Sequence, residues 1–343
     1  FFSGEYLNAA RSTSGINPLP NGDAMYRYYI YYFTTTHKTP EEIYQTGLTE
    51  VSRITAEMEK LKNQMGYTGT LKELFNYMQT DKQFMPFKTV QEVLDSNRAV
   101  LAKIQPQLQK LFSVAPKTPF EIREVESFRA AAASPQYNRS SADGTRPGIY
   151  YIPILDPAKT NTTNWPLEAT FLHEAIPGHH YQISLQQENT SLPKFRRFSF
   201  YPAFSEGWAL YCESLGEQLG CYTDPYQRMG AYGTEIHRAI RLVVDVGLHT
   251  GKMTREGAIK YMMDNEAISE QIATQEIERY MAMPGQALSY KTGELKIKEL
   301  RDKYKKEFGT KFNLTSFHDA ILKGGNMPLD VFEMYMDEWA KEK

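Results

Sequence analysis

The segment that most restricts this chain is Phe171-Leu172-His173-Glu174-Ala175-Ile176-Pro177-Gly178-His179-His180. It begins as an apolar helix and is interrupted at Pro177, which has no N–H to bond back to residue 173 and crowds the preceding turn. Any fold must turn here and still accommodate three histidines and a glutamate in one short stretch. Core packing disfavours that density of ionisable groups, whereas metal ligation accounts for it. In the zinc-peptidase pattern H-E-x-x-H, histidines at i and i+4 share a helix face and the intervening Glu polarises a water. Position i+4 here is Pro177, so the strict pattern fails. A kink or bulge at Pro177-Gly178 absorbs two residues and returns His179 to the metal-facing side. An unbroken helix would favour His180, on the same face but about 10 Å further along the axis. The expected ligands are therefore His173 and His179, with His180 as the rival and Glu174 as the base.

A third ligand is expected from Phe204-Ser205-Glu206-Gly207-Trp208-Ala209-Leu210-Tyr211-Cys212-Glu213, a mostly apolar helix with two carboxylates. Glu206 lies far enough beyond His179 for a loop and a returning antiparallel helix. Glu213, two turns further on the same face, can accept from a ligand imidazole N–H. A His/His/Glu set leaves one position of a tetrahedral Zn2+ open, as catalysis requires. It also needs no cysteine. The chain has only Cys212 and Cys221, which excludes a Cys-rich zinc module and a disulfide scaffold and leaves one bridge or two free thiols open.

The rest of the chain suits a mainly α protein with few strands. Its 343 residues are long enough to bury a substantial core. The balance of 39 Lys+Arg against 41 Asp+Glu, with no block of one sign, argues against a nucleic-acid or polybasic membrane surface. A hydrophobic content of 41% excludes a disordered chain. No long apolar run offers a transmembrane segment. Thr39-Pro40-Glu41-Glu42, Thr70-Leu71-Lys72-Glu73 and Thr89-Val90-Gln91-Glu92 carry capping signals. They predict helices running to about Met65, a second beyond Thr70, and a third towards Phe112. Residues 131–146 read as a loop. Residues 148–154 form the best strand, and Pro153 suits an edge that an extended peptide could join by strand addition. Further helices are predicted around 169–173, 204–216 and 224–249, then from Thr254. A last helical segment over 293–343 is broken at Gly324-Gly325 and Pro328.

HEAIPGHH and FSEGWALYCE together resemble the domain-of-unknown-function 885 family, which is similar to the gluzincin metallopeptidases. Ser205-Glu206-Gly207-Trp208-Ala209 also resembles the Asn-Glu-Gly-Phe-Ala segment that supplies the glutamate ligand in aminopeptidase N-like enzymes. The similarity continues through Arg238-Ala239-Ile240-Arg241-Leu242-Val243-Val244-Asp245-Val246-Gly247-Leu248-His249. It then takes in Arg279-Tyr280-Met281-Ala282-Met283-Pro284-Gly285-Gln286-Ala287-Leu288-Ser289-Tyr290-Lys291 and ends in Phe317-His318-Asp319-Ala320. The resemblance implies a mostly helical, gluzincin-like zincin fold with a small sheet beside the active-site helix. It also implies a longer N-terminus than the one present, which opens at Phe1 without a Met.

The expected organisation is a helical portion over 1–140 continuous with a zinc catalytic portion over 141–343. The expected activity is zinc-dependent hydrolysis of peptides or small proteins. A peptide-binding protein without catalysis and a zinc hydrolase of a non-peptide amide are the alternatives. Tyr290, and after it Tyr280, are candidates for donating to the oxyanion. His249, Arg241, Arg279 and Lys291 are candidates for contacting substrate, the last three through a carboxylate; His237 is a further one. Sequons at Asn138, Asn161, Asn189 and Asn313 accord with a secreted, periplasmic or envelope location.

Overall fold

The computed structural model describes residues 1–163 and 166–343, with the backbone only for Phe2. It is mainly helical, with one small sheet. Its first long helices start where the side chains dictate. α1 (Gly22–Thr34) is followed by α2 (Pro40–Gln64), α3 (Leu71–Thr80) and α4 (Val90–Ile104). Thr39, Thr70 and Thr89 each close a reciprocal capping box with the Glu three residues on, satisfying amides that have no partner inside the helix. The third predicted helix stops short of Phe112. It ends at Ile104 and tightens into a 3₁₀ turn over Gln105–Lys110, where Pro106 supplies no amide for an α-helical bond.

The sheet comprises β1 (Phe120–Glu124), β2 (Gln136–Asn138) and β3 (Gly148–Ile152), in the order β1-β3-β2. β3 pairs in parallel with β1 and antiparallel with β2. The expected edge strand is thus the central one. Pro153 lies just past its last residue and needs no ladder bond, so strand addition cannot occur along 148–152. The expected loop over 131–146 contains β2, whose outer edge is left unpaired by the sheet.

The second half supplies α5 (Leu167–Glu174), α6 (His179–Glu188), α7 (Pro202–Glu213), α8 (Pro225–His249), α9 (Arg255–Asn265) and α10 (Glu270–Ala282). α11 (Ser289–Phe308), α12 (Leu314–Gly324) and α13 (Leu329–Lys341) complete it. The last segment has a break at Gly309 that was not expected, where a positive φ ends α11. Both halves share their cores. Val93, Val100 and Ile104 of α4 pack with Phe171, Trp208 and Phe317, while Ile54 and Met58 of α2 pack with Ile240, Val243 and Ile277. α7 and α11 approach closely because Gly207 faces Gly293. Cys212 and Cys221 are buried free thiols. Among the described residues, no helix is long and apolar enough to cross a membrane.

Candidate metal centre and catalytic cavity

The Pro-Gly interruption divides the candidate metal motif between two helices instead of kinking one. α5 ends at Glu174, and α6 begins at His179. Gly178 makes this return possible. A Cβ there would lie 1.9 Å from the carbonyl oxygen of His173 and 2.4 Å from that of Leu172, so only glycine fits against the end of α5.

His173, His179 and Glu206 converge, with one ligand atom from each lying within 4.8 Å of the others. Nε2 of His179 and Nε2 of His173 face the same Glu206 oxygen at 3.2 and 3.5 Å. Tetrahedral zinc with bonds of about 2.0–2.1 Å separates its ligand atoms by roughly 3.3 Å, so the spacing fits. The electrostatics fit as well. The Nδ1–H of His173 donates to Glu213 at 2.8 Å, and Thr234 holds the second Glu213 oxygen. With Nδ1–H committed to Glu213, Nε2 of His173 faces the Glu206 carboxylate, a place for either a proton or a metal ion between them. Burial opposes a charge on His173, yet Glu206 and Glu213 bring its pKa up to about 9. Glu206 sits well below the ordinary carboxylate range despite burial, through His179 and His173.

His180 points elsewhere. Its Nδ1 lies 3.1 Å from the Tyr137 hydroxyl and 3.3 Å from the Ser184 hydroxyl, its ring packs on Phe120, and burial pushes its pKa down to about 4. Of the two rivals, only His179 joins His173 and Glu206.

These residues open on a cavity of about 260 Å³ lined also by Gln136 and Tyr137 of β2, Arg238 and Arg241 of α8, and Tyr290 of α11. Glu174 lines it too, with its pKa raised by burial against the lowering effect of His173 and His179. The Tyr290 ring stacks beside His173 at 6.5 Å between centroids, under the Arg241 guanidinium at 4.7 Å. Burial, then the charge of Glu206, raises the Tyr290 pKa and keeps its hydroxyl a donor.

The other sequence candidates lie outside the cavity. Tyr280 is fully buried, donating to Glu276 and accepting from Arg241 Nε at 2.9 Å, so its hydroxyl serves to hold Arg241. His249 accepts from the Ile16 amide at 3.3 Å and donates to the Tyr280 carbonyl at 3.1 Å; it ties the N-terminal segment down. Arg279 is engaged by Glu276 and Gln286, and His237 by Glu266. Lys291, with 0% of its side chain exposed, sits among Glu50, Glu235 and Glu294 at 2.7–2.9 Å and cannot reach a substrate. Asn161 is buried and donates to the Met78 carbonyl, so this sequon is no glycan acceptor in the folded chain.

Sequence reasoning missed Thr234, Arg238 and β2. Thr234, Arg238 and Arg241 recur at helical spacing on one face of α8, a signal that was present in the sequence. β2 is three residues long and carries no such signal.

The fold is similar to solved structures that include the following two. Over 99% of this chain and 59% of the other, it is 37% identical to a protein described as the "putative lipoprotein" from Colwellia psychrerythraea, with a TM-score of 0.95. A lipoprotein from Shewanella oneidensis, described likewise and as of unknown function, matches over 97% of this chain and 62% of its own, at 23% identity and a TM-score of 0.78. The chain thus spans about three fifths of the length of either. No curated protein matches it. The match of residues 1–336 to the family described as "Bacterial protein of unknown function (DUF885)" places this chain in that family.

Proposed function

We propose that this chain is the catalytic portion of a zinc-dependent metallopeptidase on a gluzincin-like fold, hydrolysing bonds in peptides or small proteins. The observation that carries the reading is the convergence of His173, His179 and Glu206, with Glu174 adjoining them on one cavity wall. Zinc held by those three side chains would supply Lewis acidity and make water nucleophilic at neutral pH. Glu174 takes the proton of the attacking water and returns it to the leaving amine. Its burial-raised pKa suits both tasks. The Tyr290 hydroxyl donates to the developing oxyanion. Glu213 fixes the ring of His173 so that Nε2 faces the site.

β2 supplies a place for the substrate main chain. Its outer edge pairs with no other strand, Gln136 and Tyr137 line the cavity, the Tyr137 amide donates to Glu174, and an extended peptide can add at the main-chain groups that remain. An envelope location, as the description of the two relatives as lipoproteins suggests, accords with digestion of peptides outside the cytoplasm.

The test combines metal analysis with a peptide-library digest by the wild type and Glu174→Gln. Stoichiometric zinc and cleavage that falls at least about 100-fold in the variant are expected. A protein without stoichiometric metal, or a wild type that cleaves nothing, would overturn the reading.

A further inference from the structure

We infer that Arg238 recognises the free α-carboxylate of a peptide C-terminus, so that the site removes one or two residues from that end. This rests on the peptidase reading above. The two arginines of the cavity are held differently. Arg241 shares the Glu276 carboxylate with Arg279, Nη2 donating to it at 3.1 Å and Nε donating to Tyr280 at 2.9 Å, while its Nη1 is buried without a hydrogen-bond partner. Arg238 lies 6.0 Å over the Tyr290 ring and donates a 3.3 Å bond from Nη1 to the Thr234 carbonyl, its Nε is buried without a hydrogen-bond partner, and no carboxylate pairs with it among the described residues. A half-buried guanidinium without an anion is costly to retain, and a planar carboxylate is the group its fork fits.

The position sets the distance from the reaction. Arg238 lies one helical turn beyond Thr234, whose hydroxyl reaches Glu213, which in turn holds His173. Those four residues rise about 6 Å along α8. Arg238 and the His173, His179 and Glu206 set line one small cavity of about 260 Å³, so at roughly 3.3–3.6 Å per residue only a short stretch of chain, one or two residues, fits between the scissile carbonyl and a carboxylate at Arg238.

The two ends of the cavity are also unlike. At Ser134, Pro135 and Thr170 it adjoins a cleft of about 650 Å³ with apolar walls that include Phe87, Val93 and Ile152. That cleft has room for several side chains of the peptide on the amino side. The end at Arg238 and Arg241 is small and cationic, and suits a chain terminus.

The experiment compares N-acetylated hexapeptides ending in a free acid or in an amide, using the zinc-loaded protein. Expected is a kcat/KM about ten-fold or more higher for the acid, with the C-terminal residue or dipeptide as the product by mass spectrometry. Arg238→Ala should bring the acid-to-amide ratio close to one, and Arg238→Lys should restore part of it. Binding of the same peptides to Glu174→Gln, followed by fluorescence anisotropy, should show the same preference. Equal handling of acid and amide, or a ratio unchanged in Arg238→Ala, overturns the inference while the peptidase reading stands. If nothing is cleaved, that reading falls, and the binding comparison still decides the role of Arg238: equal binding, or none, overturns it. Thermal melts of each variant verify folding.

Discussion

Glu213 acts on the proposed metal site without belonging to it. By accepting the Nδ1 proton of His173 it fixes both the tautomer and the ring orientation, and Thr234 anchors it from α8. Loss of such a partner typically weakens metal binding by about 10–100-fold. Glu213→Gln is therefore expected to weaken zinc binding to that extent in a chelator competition, while His179→Ala abolishes it and His180→Ala leaves it near the wild-type value. Zinc loss in His180→Ala alone would reverse the ligand assignment.

His318 is a residue whose chemistry concerns stability. It is buried between Tyr211 and the Leu111 carbonyl, each at 2.9 Å, and burial brings its pKa down from 6.5 to about 4. The unfolded chain thus takes up a proton between those values that the folded chain refuses. Stability is full above the unfolded pKa and is lost as pH falls through this window. From pH 7 to pH 5 the loss from this residue is about 2 kcal/mol. Urea midpoints should drop accordingly, and His318→Gln should flatten the profile. An equally steep profile in the variant would refute the assignment.

At the scale of elements, the site depends on how closely α7 and α11 cross. A Cβ on Gly207 would lie 2.4 Å from Gly293, and one on Gly293 would lie 1.8 Å from the Ala203 carbonyl oxygen. Glu206 precedes the first glycine and Tyr290 stands one turn before the second, so the crossing sets the position of both side chains. Gly293→Ala should force the helices apart at a cost of about 1–3 kcal/mol and weaken zinc binding in the same protein. Wild-type stability together with wild-type affinity would show that the crossing tolerates the added methyl.

Which elements the sequence revealed follows from the range of the forces that form them. Helix starts at Thr39, Thr70 and Thr89 depend on contacts three residues apart and were legible. The His173–His179 pairing was legible because Pro177 and Gly178 constrain the intervening chain. The sheet was not. β1 meets β3 across a long intervening segment, and β2 has only three residues, so neither shows a local pattern, and Pro153 suggested an edge for a strand that is central. Lys291 looked available because, of its three partners, only Glu294 is near in sequence.

That lysine shows how the whole molecule is joined. Glu50 comes from α2, Glu235 from α8, and Lys291 and Glu294 from α11, with Arg53 and Lys298 completing the charge balance. Helices far apart in the sequence thus meet at one buried point, directly after Tyr290. Burial opposes the charge on Lys291, and Glu294, Glu235 and Glu50 raise its pKa nonetheless. Such a cluster gives little net stability compared with an apolar core, yet removing one member leaves opposite charges buried and unpaired. Lys291→Met should therefore destabilise the chain by about 3–5 kcal/mol in urea unfolding. Glu294→Gln added to it should cost less than the two single changes summed, because the second change removes a charge that the first left unpaired. Additive losses, or a cost for Lys291→Met below about 1 kcal/mol, would show that the junction behaves as ordinary surface ion pairs do. A non-additive loss accompanied by weaker zinc binding would instead show that this junction helps to hold the α11 segment on which Tyr290 stands.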